Sequence, residues 1–405
     1  MARVEVDLTN PDTFARGFPH ALFRRLREEA PVYWHAKGPD AGGAGFFVLS
    51  RYEDIKLVSR NPGLFSSMPG ITVMENPGDY EAGQSSMLQM DPPRHSRYRK
   101  LVSAGFTPRR IAEIEPVVRE LVGEILDGVA GRGRCDFVTE VAAELPLQVI
   151  ARFLGVPKED RHVLFATSNR MIGFEDPEYS TSEEDGRIAA MELYVMAHRL
   201  AEERRKEPKD DIITVLLSSE VEGDRLSEHD FDAFFILLTI AGNETTRNQT
   251  SHGLRLLLEN PAELARLERD PELLSSAVEE MLRYNPPVMY FRRTATQDTE
   301  IRGVEIPRGA KVTMYYPSGN RDADVFPDAD RFDVGRSPNE HLAFGFGEHF
   351  CLGASLARVQ LRAMLGELLR RFKGIALDGE IRYLRSHFID GVKSMPIRFT
   401  AATRG

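Results

Sequence analysis

Residues 343–372 read AFGFGEHFCLGASLARVQLRAMLGELLRRF and contain Cys351, one of only two cysteines in the 405-residue chain. A loop rich in glycine and phenylalanine leads to the thiol, and His349 stands two residues before it. After it, Leu352, Leu356, Val359 and Ala363 recur at helical spacing, so a helix starts beside the sulfur. A thiol so placed is half a disulfide, a zinc ligand, a nucleophile, a redox thiol, a cofactor ligand or an inert core residue.

The other cysteine, Cys135 in GRGRCDFVTE, lies far away in a polar setting. The chain opens MARVEVDLTNPDTF, without the basic-then-apolar pattern of a secretory signal. This predicts a cytoplasmic location, where disulfides are rare. Zinc requires about four ligands, usually in paired Cys/His spacings, and here one His-x-Cys pair has no second cysteine nearby. A nucleophile requires a base aligned with it, which adjacency in sequence does not supply. An inert, buried cysteine is the plain reading of a lone thiol. The context adds to it. A helix N-terminus presents unpaired N–H donors and partial positive charge, which favour thiolate. Gly345, Gly347 and Gly353 remove side chains around the sulfur, so a flat group can approach the backbone. A thiolate opposite a flat open space suits an axial haem ligand.

Composition sets the frame: 42% hydrophobic, 28% charged, net charge −10. That balance argues against nucleic acid as a bulk partner. The apolar run FFILLTIAG is about half the ~20 residues a bilayer span needs, so no membrane anchor is expected. Helix signals dominate. Thr107-Pro108 starts a helix that glycines end near residue 131. Ser227 and Asp230 have capping-box spacing before a helix of about 30 residues. NPAELARLERDPELLSSAVEEMLRYNPP has two Asn/Asp-Pro starts and a Pro286-Pro287 stop. Strand alternation is confined to GFFVLSRY, RRTATQDTEIRGVEIPRGAKVTMYYP and MPIRFTA. The chain reads as mainly α with a small β-sheet region.

FGFGEHFCLGASLAR resembles the haem-binding signature of the cytochrome P-450 superfamily at Phe344, Gly345, Gly347, His349, Cys351, Gly353, Leu356, Ala357 and Arg358. The resemblance implies the cytochrome P-450 fold, a single large triangular-prism domain over residues 1–405. It implies haem b with Cys351 as axial thiolate and O2 as co-substrate. AGNETT, in the middle of an otherwise apolar helix, resembles the acid–alcohol motif. There Thr245 would hydrogen-bond dioxygen or a water, Glu244 would relay protons, and Ala241 and Gly242 would border the haem. His95, Arg99, Arg293 and His349 fall where the superfamily places partners of the haem propionates. Glu280 and Arg283, with Arg331 as third partner, resemble its buried Glu-x-x-Arg network.

No flavin-binding domain or ferredoxin-type cysteine cluster is visible. The resemblance therefore implies a separate donor, ferredoxin or flavodoxin, with a reductase fed by NAD(P)H. Arg97, Lys100, Arg109, Arg110, Arg358 and Arg362 are the expected docking patch, and the protein is expected to be a monomer. The substrate walls are assigned to Ile71, Val73, Met74, Met87, Leu88, Met171, Phe174, Leu237, Ala241, Val288, Met289 and Phe388. That lining describes an apolar, adaptable cavity. FFILLTIAGNETTRN, IGFEDPE and SHFIDGVKSMP look most like actinobacterial-type hydroxylases of methyl-branched lipids, terpenoids and sterols. The resemblance thus implies hydroxylation of an unactivated C–H bond. A tailoring oxidase of a larger natural product and a haem-thiolate carrier without turnover are the alternatives.

Overall fold

The computed structural model describes residues 6–36, 45–74, 86–172, 176, 178, 182–221 and 223–401. Helices form most of it, and the capping signals are used as expected. Ser227 Oγ accepts the Asp230 N–H at 3.1 Å and opens the longest of them, Glu228–Glu259, called here the central helix. Thr107 accepts the Arg110 N–H at 3.4 Å and Pro108 takes the first helical position of Pro108–Ala130, which Gly131 ends. Pro261–Arg269 and Leu274–Tyr284 follow the two Asn/Asp-Pro starts, and the second stops ahead of Pro286-Pro287.

Two glycines inside the central helix are where it meets its neighbours most closely. A Cβ on Gly242 would lie 2.8 Å from Ile150 Cδ1 on helix Glu144–Phe153. A Cβ on Gly253 would lie 3.0 Å from Met281 Sδ and 3.2 Å from Leu365 Cδ1. The central helix thus packs against Leu274–Tyr284 on one side and against Ala354–Arg371, the helix that follows Cys351, on another. The largest buried cluster, with Val118, Leu121, Leu145, Phe231, Phe235 and Leu365, fills the space between these helices.

The sheet is assembled from pieces far apart in sequence. Phe46–Leu49 lies between antiparallel Val32–His35 and parallel Lys311–Tyr315. Tyr290–Ala295 then pairs antiparallel with Lys311–Tyr315, with Val312 opposite Arg293, and Phe65–Ser66 closes the edge. A second sheet joins Phe372–Leu377, Pro396–Ala401 and Arg134–Asp136. Val32–His35, rich in β-favouring residues, pairs with the nearby Phe46–Leu49, whereas Phe65–Ser66, Arg134–Asp136 and Phe372–Leu377 are held by partners farther away in sequence.

Candidate functional site

The thiolate loop is a tight backbone scaffold. The Cys351 N–H donates to the Phe344 carbonyl at 2.9 Å, and the Gly345 N–H to Leu342 at 2.9 Å. Gly345 and Gly347 both have φ +72°, a region costly for other residues. Gly347 is doubly constrained, because a Cβ there would sit 2.5 Å from the Ser59 carbonyl oxygen. Cys351 keeps accessible surface. Burial pushes its thiol pKa up, while the Gly353 and Ala354 N–H groups and the Arg99 and Arg358 charges oppose the rise. The helix N-terminus therefore favours the thiolate without prevailing over burial. A metal ion bonded to sulfur tips that balance, since a coordinating thiol is deprotonated outright.

Both cysteines are free. Burial pushes the Cys135 thiol up to about 12, which makes it inert at neutral pH. It lines a surface cleft of about 530 Å³ with Arg132, Glu140 and Ile397, away from the thiolate loop.

The four expected propionate partners converge. The His95 and His349 rings lie 4.1 Å apart. Burial, with the Arg99 and Arg293 charges, lowers the His95 pKa to about 4. Burial, with the Arg293, His95 and Arg99 charges, lowers that of His349 to about 2. His95 is 1% exposed, and neither of its ring nitrogens has a hydrogen-bond partner. The Glu348 carboxylate, 3.9 Å from His95 Nδ1, is beyond hydrogen-bond reach. His349 Nε2 lies 3.2 Å from Ser67 Oγ, Arg99 donates to the Phe350 carbonyl at 2.6 Å, and Arg293 donates to the Arg292 carbonyl at 2.8 Å. Unpaired donors at such depth are costly, and an anionic group answers them.

On the central helix, Glu244 is 3% exposed. Its Oε1 accepts from Arg247 Nη2 at 2.5 Å and Asn248 Nδ2 at 2.8 Å, whereas Oε2 has no partner. The Thr245 hydroxyl donates to the Ala241 carbonyl at 2.7 Å. Ala241 keeps exposed surface in a helix otherwise packed on several sides. The missing side chain of Gly242 makes room for Ile150. ETTRN already contained the signal for Arg247 and Asn248, polar residues three and four positions after an acid on one helix face.

Behind the loop, Glu280 and Arg283 are both fully buried and doubly bonded, at 2.7 and 2.8 Å. The third partner is Arg336, whose Nε reaches Oε1 and Oε2 of Glu280 at 3.2 and 3.1 Å. Asn339 Nδ2 and the Asp333 N–H add bonds of 3.1 and 3.0 Å. Arg331, expected in that role, points its side chain to the surface and contributes its carbonyl to Arg283 and Arg336. The preceding residue, Glu279, forms a separate anchor. It accepts two bonds of 2.7 Å from Arg358 and lies 3.1 Å from His341, and Arg358 lies 4.5 Å over the Phe344 ring. Arg358 therefore braces the thiolate loop and does not belong to an open docking patch. Arg97, Arg109 and Arg110 are exposed or nearly so, but each pairs with an acid: Asp224, Glu113, and Glu113 with Asp210.

The expected substrate walls are gathered only in part. The Arg292 N–H donates to the Ile71 carbonyl at 2.8 Å and the Met289 N–H to that of Phe388 at 3.0 Å; Val288 bridges to Ile389. Ile71, Met74, Leu88, Met171, Leu237, Val288 and Phe388 are half-buried and Ala241 exposed, as a cavity lining requires. Val73 and Met289, at 0% exposure, pack instead in the core with Tyr290 and Tyr315, and Met87 packs with the helical core. Phe174 lies outside the described residues.

The donor set fits an iron porphyrin: the Cys351 sulfur before a helix start would hold the iron, and the Arg99 and Arg293 cations with the unanswered His95 ring nitrogens would hold two carboxylates. With an acid–alcohol pair on the central helix, these are the parts that a haem-thiolate oxygenase requires. The family model "Cytochrome P450" matches residues 180–380. The chain is 40% identical over 410 residues to a steroid C26-monooxygenase of Rhodococcus jostii, covering 98% of this chain and 86% of that protein. It is 40% identical over 387 residues to a methyl-branched lipid omega-hydroxylase of Mycobacterium tuberculosis, covering 93% and 90%. A Mycobacterium marinum cytochrome P450 in complex with pseudoionone superposes with a TM-score of 0.91 at 40% identity, covering 98% and 99%. The chain belongs to the cytochrome P450 family and is a P450 monooxygenase. Membership implies a haem-thiolate cofactor, O2, redox partners and an apolar substrate. Among the described residues, no helix is long and apolar enough to cross a membrane.

Proposed function

We propose that residues 1–405 work as one domain that hydroxylates an unactivated C–H bond of a methyl-branched lipid, terpenoid or steroid. Haem b, held by Cys351, supplies the oxygen-activating iron. The observation that carries this reading is the group of His95, Arg99, Arg293 and His349 beside the sulfur, with both His95 nitrogens unpartnered. These side chains bind and orient the cofactor's carboxylates, and the Glu280 and Glu279 anchors hold the loop that presents the thiolate. The Thr245 hydroxyl and the free Oε2 of Glu244 move protons. The balance is one O2, two electrons, two protons and one substrate C–H giving an alcohol and water.

The half-buried apolar walls and the names of the relatives support an apolar, branched substrate. A ferredoxin with an NAD(P)H-fed reductase is the proposed donor. Its docking face centres on Phe350, 41% exposed and next to Cys351. The test is a carbon monoxide difference spectrum of the reduced protein, followed by spin-shift titration and product analysis with phytanic acid, corticosterone and pseudoionone. The expected result is the red-shifted thiolate band, lost in Cys351→Ser, and an alcohol from at least one compound. A wild-type protein without that band overturns the reading.

A further inference from the structure

Glu244 is held on one side only, and the residue that holds it is itself held from elsewhere. Asn248 Nδ2 donates to Glu244 Oε1 at 2.8 Å, and Asn248 Oδ1 accepts the Val392 N–H at 3.0 Å. Asn248 is 0% exposed. Its amide can satisfy both neighbours in one orientation alone, because a carboxylate only accepts and a backbone N–H only donates. The two bonds therefore fix each other. Arg247 reaches the same Oε1, so both fastenings fall on one oxygen while Oε2 stays free.

Val392 belongs to a hairpin, Arg382–Tyr383 paired with Val392–Ser394, whose loop carries Phe388 and Ile389 at the substrate wall. The hairpin is pressed onto the central helix. A Cβ on Gly391 would lie 2.9 Å from the Leu384 Cβ and 3.2 Å from Asn248 Nδ2. One residue earlier, Asp390 takes a 3.0 Å bond from Asn285 Nδ2, and its carbonyl lies 3.0 Å from His252 Nε2. The loop that contacts the hydrocarbon is thus tied to the helix that delivers the proton, at the residue four places from the acid.

We propose that Asn248 is a positioning residue that locks the Glu244 carboxylate with Oε2 toward the reaction and couples that orientation to the substrate-bearing hairpin. This rests on the monooxygenase reading above. Misplacing the acid diverts the same two electrons and two protons to hydrogen peroxide, with the C–H bond left intact.

Two substitutions separate the two bonds. Asn248→Asp keeps the acceptor for Val392 and removes the donor to Glu244; Asn248→Leu removes both. Product and peroxide per electron are measured with phytanic acid, corticosterone and pseudoionone, together with deuterium uptake of a peptide spanning 386–394 in the haem-loaded protein. Both variants are expected to lower product per electron about tenfold, the scale of one hydrogen bond to a charged group. Neither should add to the defect of Glu244→Gln, since coupled groups are non-additive. Uptake at 386–394 should rise in Asn248→Leu and stay at the wild-type level in Asn248→Asp. Wild-type coupling in Asn248→Asp, a loss that adds fully to Glu244→Gln, or unchanged uptake in Asn248→Leu overturns the proposal. If Glu244→Gln itself turns over with wild-type coupling, the proton-delivery reading falls first. If the wild type yields no alcohol from any compound, the functional reading falls, and the exchange measurement still decides the tie to the hairpin.

Discussion

The cage behind the thiolate and the wall around the substrate are built on opposite principles. The cage is ionic and over-determined, and its centre, Glu280 with Arg283, is fully buried. Glu280 alone receives bonds from Arg283, Arg336, Asn339 and the Asp333 N–H, and Glu279 adds the brace through Arg358 to Phe344. The expected wall is apolar and half-buried, drawn from Ile71 and Met74, Leu237 of the central helix, Val288 and Phe388. Directional bonds hold the sulfur in one place. Dispersion contacts, which tolerate sliding, are what the expected wall offers. The chemistry is thereby kept constant while the molecule admitted can change.

The sharpest way to break this contrast is at Glu280. In Glu280→Ala the Arg283 and Arg336 cations remain buried without their carboxylate, and removing one partner of such a network costs about 3–5 kcal/mol. The denaturation midpoint should fall accordingly, and haem retention should fall with it. Arg331→Ala, at an exposed side chain that touches none of this, should change stability by less than about 0.5 kcal/mol. Equal effects at Glu280 and Arg331 would undo the assignment of Arg336 as third partner.

What was readable beforehand follows the same division. FGFGEHFCLG and AGNETT were legible because their geometry is local: consecutive residues set a turn, a helix start or a helix face. Caps such as Ser227 and Thr107 were legible for the same reason. Arg331 was mistaken for Arg336 because both are arginines in one irregular loop, and only the path of that loop through space decides which guanidinium turns inward. Met289 and Val73 looked like wall residues because both are apolar in the right segments. Met289 is fixed by backbone bonds to Phe388 and Tyr316, and Val73 by its N–H to the Tyr290 hydroxyl; no short window contains those partners. The close approach of Ile150 to Gly242 is not legible in AGNETT, because Ile150 lies far upstream.

On the wall, Phe388 is the residue to test. Its ring centroid lies 5.6 Å from those of Tyr290 and Phe291, so it is supported on one side and half-buried on the other. Phe388→Ala should weaken spin-shift binding of the preferred hydrocarbon by about tenfold, near the low end for losing a buried aromatic. The carbon monoxide band should keep its position. A shift of that band would mean that wall and cage are not independent.

The smallest effect separates charge from shape within the cage itself. Burial opposes ionisation of Glu279, but the Arg358 and His341 hydrogen bonds and charges outweigh it and hold its pKa down to about 2, against 4.5 for a free glutamate. A depressed carboxyl stabilises the folded state above its unfolded pKa, and that contribution is lost as pH falls toward the folded one. Glu279→Gln keeps the shape and removes the charge. It should cost about 1 kcal/mol near pH 6, the scale of one charge-assisted hydrogen bond in a partly exposed pair. The difference between wild type and variant should shrink between pH 4.5 and pH 3 in parallel urea titrations. A Glu279→Gln difference that stays constant down to pH 3 would show that Arg358 is held by packing on Phe344 and not by the carboxylate.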